Sequence, residues 1–165
     1  FSPVAVVENE SVFNYCDTAS SRAGITALAD KLAAGNVAIV GLGGTGSYAL
    51  DLVAKTPVPE IHLFDRDRLL NHNAFRSPGA PSLVQLGEKP FKVNYFAEVY
   101  SRMHRGIVPH PYHIDGSNVD ELRGMGFVFL CLDRGSDKKQ IVEPLIKWGV
   151  PFVDVGMGVE LVDGQ

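Results

Sequence analysis

Val37-Ala38-Ile39-Val40 runs directly into Gly41-Leu42-Gly43-Gly44-Thr45-Gly46-Ser47. The first four residues, all apolar, read as a short buried strand. Gly41, Gly43 and Gly46 fit the spacing G-x-G-x-x-G, and a helical pattern over Gly46–Lys55 follows, ended by Pro57 and Pro59. Glycine suits this place because a side chain would keep the main-chain N–H groups from approaching a phosphate. The N-terminus of the helix adds a partial positive charge. The same spacing also suits a tight strand-to-helix turn with no ligand.

Working outward, strands and helices alternate. Residues 22–34 place Ile25, Leu28, Ala29 and Leu32 at helical spacing, with Gly35 as a stop. Glu60–Phe64 reads as a second strand, residues 66–88 as a long loop without periodicity, and Lys92–Arg105 as a helix. In that helix Tyr95, Phe96, Val99 and Met103 recur as a core stripe. Ile107–Ile114 is an edge strand, since Pro109 and Pro111 cannot donate to a ladder. Val119–Arg123 is a helical turn, Phe127–Leu132 a strand buried on both faces, Ser136–Trp148 a helix and Pro151–Val155 a fifth strand.

This alternation predicts an α/β fold: a Rossmann-like, doubly wound, mostly parallel sheet with helices on both faces. Right-handed crossovers favour the strand order 3-2-1-4-5. In that order Val37–Val40 lies beside Phe127–Leu132, and a ligand belongs at the carboxyl ends of those two strands. Gly41 and Asp133 are then expected to face one pocket. Asp65 closes the second strand about 20 residues beyond the glycines, where a carboxylate hydrogen-bonds a ribose hydroxyl. On these residues alone a nucleotide is expected, with NAD and ATP both open.

The 165 residues make one domain the expectation. Residues 1–21 read as an N-terminal arm, and 22–165 as the domain. With 45% hydrophobic and 21% charged residues, disorder and a disulfide scaffold are excluded. A net charge of −4 argues against nucleic acid or an anionic membrane surface as a partner. No apolar run approaches the roughly 18–20 residues of a membrane span. Two cysteines, Cys16 and Cys131, suit a reducing cytoplasm. The chain begins at Phe1 and ends at Gly164-Gln165 without a closing element, which reads as a piece of something longer.

The stretch Asp65-Arg66-Asp67-Arg68-Leu69-Leu70-Asn71-His72-Asn73-Ala74-Phe75-Arg76 follows D-x-D-x-(V/L)-x-x-x-N-x-x-R. It resembles the signature of the ubiquitin-activating-enzyme-like adenylyltransferases of the ThiF/MoeB/HesA type. Gly41–Ser47 resembles that family's G-x-G-G-x-G-S, Cys131-Leu132-Asp133 its C-x-D, and the end of the chain its fifth strand running to (E/D)-G-Q. The likeness covers about residues 22–165.

The resemblance implies ATP-dependent adenylation of the C-terminal carboxylate of a ubiquitin-like or sulfur-carrier protein. It implies that Gly41, Gly43, Gly44 and Gly46 cradle the phosphates and Asp65 holds the ribose. Asn73 and Arg76 would contact phosphates, with Arg76 neutralising the departing pyrophosphate, and Asp133 would hold Mg²⁺. A lysine is also implied. The spacing Gly87-Glu88-Lys89-Pro90-Phe91-Lys92 departs from the family's G-x-x-K, which leaves two lysines to choose from; Lys92, followed by Val93 and a helical run, is preferred over Lys89. Arg22 would reach the neighbouring subunit's ATP in a homodimer, although its surroundings differ from the family's arm. The family's R-Q is here Arg76-Ser77.

The remaining candidates read as structure. Cys131 lies in an apolar strand and acts as a small hydrophobe. His62, His72, His104, His110 and His113 lack zinc-ligand spacing. Trp148 and Met157 pack, and Asp154 is either a pocket residue or a satisfied strand residue. Two other functions stay open: an NAD-dependent oxidoreductase domain, and a non-catalytic scaffold that binds a ubiquitin-like partner. The fragment alone is allowed to be inactive under any of these.

Overall fold

The computed structural model describes residues 11–19, 24, 31–33, 35–133 and 135–156, without the side chains of 135–137. Arg22, Met157 and most of the helix expected over 22–34 lie outside the described residues; Lys31 and Leu32 are helical. Five strands form one sheet: β1 (Val37–Val40), β2 (Ile61–Phe64), β3 (Ile107–His110), β4 (Phe127–Leu130) and β5 (Phe152–Asp154). Their order is β3-β2-β1-β4-β5 and every pairing is parallel, as the alternation and crossover rule predicted.

The helices are α1 (Gly44–Val53), α2 (Asn71–Ala74), α3 (Leu83–Glu88), α4 (Lys92–Tyr100) and α5 (Gly135–Trp148), with a 3₁₀ turn at Val119–Leu122. Two cores flank the sheet. On one face Ile39, Leu63, Leu50 and Phe96 pack under α1 and α4. On the other, Val40, Leu130, Ile141 and Leu145 pack under α5 and the 3₁₀ turn. Tyr95 and Phe96 are buried in the first core with Val99 against it, and Trp148 packs against the second.

Two expectations are corrected. Residues 66–88 are not a continuous loop, because they contain α2 and α3. Helices this short span less than two turns and leave no readable period. The second is set by local capping: Ser82 Oγ accepts the Gln85 amide at 3.2 Å, and Gln85 Oε1 accepts the Ser82 amide at 2.9 Å. The other correction is β4, whose Phe127 and Phe129 are only half-buried while Val128 and Leu130 are buried. Among the described residues, the face beyond α1 leaves those two rings partly uncovered. The edge strand was read correctly: β3 carries Pro109 opposite Leu63 at the sheet border.

Candidate functional site

The carboxyl ends of β1, β2 and β4 converge. Gly41, at φ 93°, leaves β1 in a conformation that L side chains rarely adopt. A Cβ there would stand 2.7 Å from the Cys131 carbonyl oxygen and 3.3 Å from Leu132 Cδ2. The Cys131 amide in turn donates to Val40 O at 2.8 Å. The glycine loop is thus pressed against the segment that leads from β4 to Asp133, the juxtaposition that strand order had predicted. Asp133 is exposed.

The glycines divide by what surrounds them. At Gly46 a Cβ would lie within 2 Å of Gly41 O, so this glycine is demanded by helix-to-loop packing. At Gly43 nothing comes within 4 Å. Gly43 precedes α1 in extended conformation and makes no side-chain cap, so the space over the first amides of α1 is open. Over Gly44 the nearest atoms belong to Arg76, with its carbonyl oxygen at 3.3 Å and its Cβ at 3.7 Å from a built Cβ. Arg76, exposed, therefore stands beside the N-terminus of α1.

Asp65 is buried, with 8% exposure. Its Oδ2 accepts the Leu42 amide at 2.6 Å and its Oδ1 accepts the Asp67 amide at 2.7 Å. The Lys92 side chain is only 7% exposed, and its Nζ lies 3.6 Å from Asp65 Oδ2 and 2.9 Å from Asp67 Oδ2. Burial of this lysine is compensated by the two carboxylates. Lys89 is exposed, at φ 47° it ends α3, and its carbonyl oxygen accepts Arg68 Nη1 at 2.9 Å. Of the two lysines, only Lys92 is in contact with the Asp65 carboxylate.

Asn73 is buried. Its Oδ1 accepts the Leu70 amide at 2.9 Å, and its carbonyl oxygen accepts Ser77 Oγ at 2.9 Å and the Arg76 amide at 2.9 Å. It shapes the turn that carries Arg76. Ser77, where the resembling family has glutamine, is buried and anchors this turn through its bond to the Asn73 carbonyl oxygen. Arg22 lies outside the described residues.

Asp154, which sequence reasoning left open, is now placed, and Cys131 keeps its reading as a core residue. Lys138 Nζ bonds Asp154 Oδ1 at 2.9 Å and reaches Gly156 O at 3.4 Å, so Asp154 is a satisfied residue that fastens the exit of β5. Its carboxyl lies below the usual range: burial works to raise it, and the bonds from Lys138 and the Gly156 amide outweigh that. Cys131 is buried, and burial foremost, with Asp154 and Asp133 adding, pushes its thiol up to about 11. That is the opposite of an activated nucleophile. The role of Lys138 had no signal in the sequence, because its partner belongs to another element. No group of three or more His, Cys, Asp or Glu converges as a metal cage among the described residues. No helix among them is long and apolar enough to cross a membrane.

Comparison with known proteins gives the same frame. The E. coli tRNA N6-threonylcarbamoyladenosine dehydratase TcdA superposes with a TM-score of 0.72 at 22% identity, covering 82% of this chain and 57% of that one. Its complex with ATP superposes at 0.69 with 20% identity, over 82% of this chain and 56% of that one. E. coli MccB bound to MccA-N7isoASN superposes at 0.72 with 18% identity, over 87% of this chain and 44% of that one. The chain spans about half the length of these proteins. No curated protein matches. The ThiF family model matches residues 18–160. With most of its length so matched, and with a parallel sheet that brings Gly41, Asp65, Arg76 and Asp133 to one end, this chain belongs to the ThiF family.

Proposed function

We propose that this chain is the nucleotide-binding part of an enzyme that adenylates a carboxylate at the expense of ATP. The observation that carries the reading is Arg76 standing against Gly44 at the N-terminus of α1, with buried Asp65 fixed to the same loop through Leu42. A dinucleotide-binding oxidoreductase would use the glycines and Asp65 equally well but gives Arg76 no task.

In this reading the triphosphate lies on the open first turn of α1 above Gly43, where main-chain N–H groups and the helix dipole meet negative charge. Asp65 holds the ribose. An oxygen of the substrate carboxylate attacks the α-phosphorus; the new O–P bond forms as the bond to pyrophosphate breaks, leaving an acyl-adenylate. Arg76, always charged and able to bind phosphate bidentately, stabilises the charge that grows on pyrophosphate. Lys92 and Asn73 are assigned to the phosphates, the first released from Asp67 as it engages them. Arg22 is assigned to the phosphates of a second copy, which makes a homodimer part of the reading.

Asp133 fits Mg²⁺ by donor chemistry: it offers one exposed carboxylate, and a hard cation on a triphosphate takes one or two protein oxygens and keeps its waters. A bound Mg²⁺ supplies charge neutralisation on the triphosphate. The substrate proposed is the C-terminus of a ubiquitin-like or sulfur-carrier protein. A net charge of −4 favours a protein over a polynucleotide, and a carboxylate borne on tRNA, after the name of TcdA, is the competitor to exclude. The free thiols of Cys16 and Cys131 suit a cytoplasmic setting.

The test uses the intact protein. ATP with Mg²⁺ is expected to raise its melting temperature, and NAD or NADH is not. Labelled pyrophosphate is expected to exchange into ATP when the carrier is supplied, and Asp133→Asn to lower that exchange by about 100-fold, the size of one lost preorganised charge. Stabilisation by NADH with none from ATP would favour the oxidoreductase. Carrier binding without exchange would favour the scaffold.

A further inference from the structure

Five side chains outside the site form one hydrogen-bonded row across β2, β3 and the 3₁₀ turn. Glu60 Oε2 lies 3.2 Å from His62 Nε2, and His62 Nδ1 lies 3.0 Å from His110 Nε2. His110 Nδ1 lies 3.0 Å from Tyr112 Oη, which donates to Glu121 Oε2 at 2.7 Å. Glu60 also accepts Asn36 Nδ2 at 2.9 Å. Among the described residues these carboxylates and Tyr112 are the titratable groups facing the imidazole pair. The neighbouring His113 has its own partner, Asp115, at 3.1 Å.

The row has a definite proton count. Its four contacts each need one hydrogen, and both ends are carboxylates that only accept. Neutral His62, neutral His110 and Tyr112 bring three. All four contacts are hydrogen bonds only when the pair carries one extra proton. Removing it leaves one contact without a hydrogen. Adding a second makes donors of both facing nitrogens at 3.0 Å and sets two like charges against each other. Burial, then the charge of His62, lowers His110 below the usual imidazole value, against the pull of Glu121.

The row is coupled to the site through the strand ends. The His110 ring stacks on Phe64 at 4.3 Å and 7°. The His110 carbonyl oxygen accepts the Asp65 amide at 3.3 Å, and the Phe64 carbonyl oxygen accepts the Gly41 amide at 2.8 Å. Phe64 and Asp65 are consecutive, so the His110 ring and carbonyl both bear on the end of β2 that carries the Asp65 carboxylate.

We propose that His110 is a positioning residue for Asp65, and that it acts through a single proton shared with His62. This rests on the nucleotide reading of Asp65 given above. A second proton forces the rings apart, tilts the end of β2, and weakens nucleotide binding. The pair therefore makes ATP affinity acid-sensitive.

ATP affinity of the intact protein is measured by calorimetry from pH 5 to 8.5 in wild type, His110→Phe and His113→Gln. His110→Phe keeps an aromatic ring on Phe64 and removes both nitrogens. It is expected to bind ATP roughly fivefold more weakly at neutral pH, the effect of one lost hydrogen bond, and to lose much of the acid dependence. His113→Gln is expected to keep the wild-type profile. Nitrogen NMR of the imidazoles is expected to show His62 and His110 titrating in two separated steps that belong to the pair. If His110→Phe does not fold, that titration decides. Superposable profiles for wild type and His110→Phe, or independent single-site titration of the two rings, overturn the proposal and leave nucleotide binding intact. Absence of ATP binding by wild type at every pH overturns both.

Discussion

Asp65 Oδ2 accepts the Leu42 amide at 2.6 Å, so the carboxylate that ends β2 is itself a strut of the glycine loop that ends β1. One side chain therefore serves the loop's shape as well as the proposed ribose contact. Asp65→Ala is expected to lose about 1.5–3 kcal/mol of stability, as befits a charge-assisted bond to a buried amide, in addition to ATP affinity. Urea unfolding and calorimetric titration on the same variant separate the two losses. A variant of unchanged stability would show the strut to be idle.

Gly43 and Gly46 are predicted to fail in different ways. Gly46→Ala puts a methyl group within 2 Å of Gly41 O and is expected to cost several kcal/mol or prevent folding. Gly43→Ala meets nothing within 4 Å, so its melting temperature is expected to stay within a few degrees of wild type while ATP binding weakens by tenfold or more. Equal ATP affinity in Gly43→Ala would remove the triphosphate from that space.

Arg76 is expected to separate chemistry from binding. Arg76→Ala should lower the rate of adenylate formation by about 100-fold and ATP affinity much less, because its charge matters most as pyrophosphate leaves. Single-turnover formation of the adenylate, read beside ATP titration, checks this. A rise in KM with kcat unchanged would make Arg76 a binding residue only.

His104 gives the fold its own acid sensitivity. It is fully buried, with Nε2 on Val58 O at 2.9 Å and Nδ1 accepting the Gly106 amide at 3.0 Å. Burial foremost lowers it below its ordinary value of 6.5, against the opposing bond to Val58. A neutral native state against an ionisable unfolded one binds fewer protons, so stability is complete above about pH 6.5 and falls as pH drops through the native value. The urea midpoint is expected to decline from pH 8 to pH 5.5, and to decline less in His104→Gln. A parallel decline in both would assign the acid sensitivity elsewhere.

Much of this was legible in the sequence, for identifiable reasons. Val37–Val40 and Phe127–Leu130 are uniformly apolar and the crossover rule orders them, so the contact between Gly41 and Cys131 followed from topology. The Asp65–Arg76 signature is local, and its residues arrive together because α2 is a single turn. What stayed hidden depends on partners from distant elements. Lys138 gives no sign that it will clasp Asp154, nor does Lys92 that it will be held by Asp67. The five histidines read as unrelated, and only the β2–β3 register brings His62 within reach of His110.

The central position of β1 has a kinetic consequence. Its Val37 pairs with nearby Ile61 on one side and with far-off Phe127 on the other. Loop closure makes the second pairing the slower one. A folding intermediate with β1, β2 and β3 assembled would already hold Leu42 on Asp65, yet Gly41 would lack the wall that Cys131 provides. The proposed binding cleft is then completed only by the later of the two β1 pairings, so nucleotide added during refolding is expected to capture only molecules that have passed it.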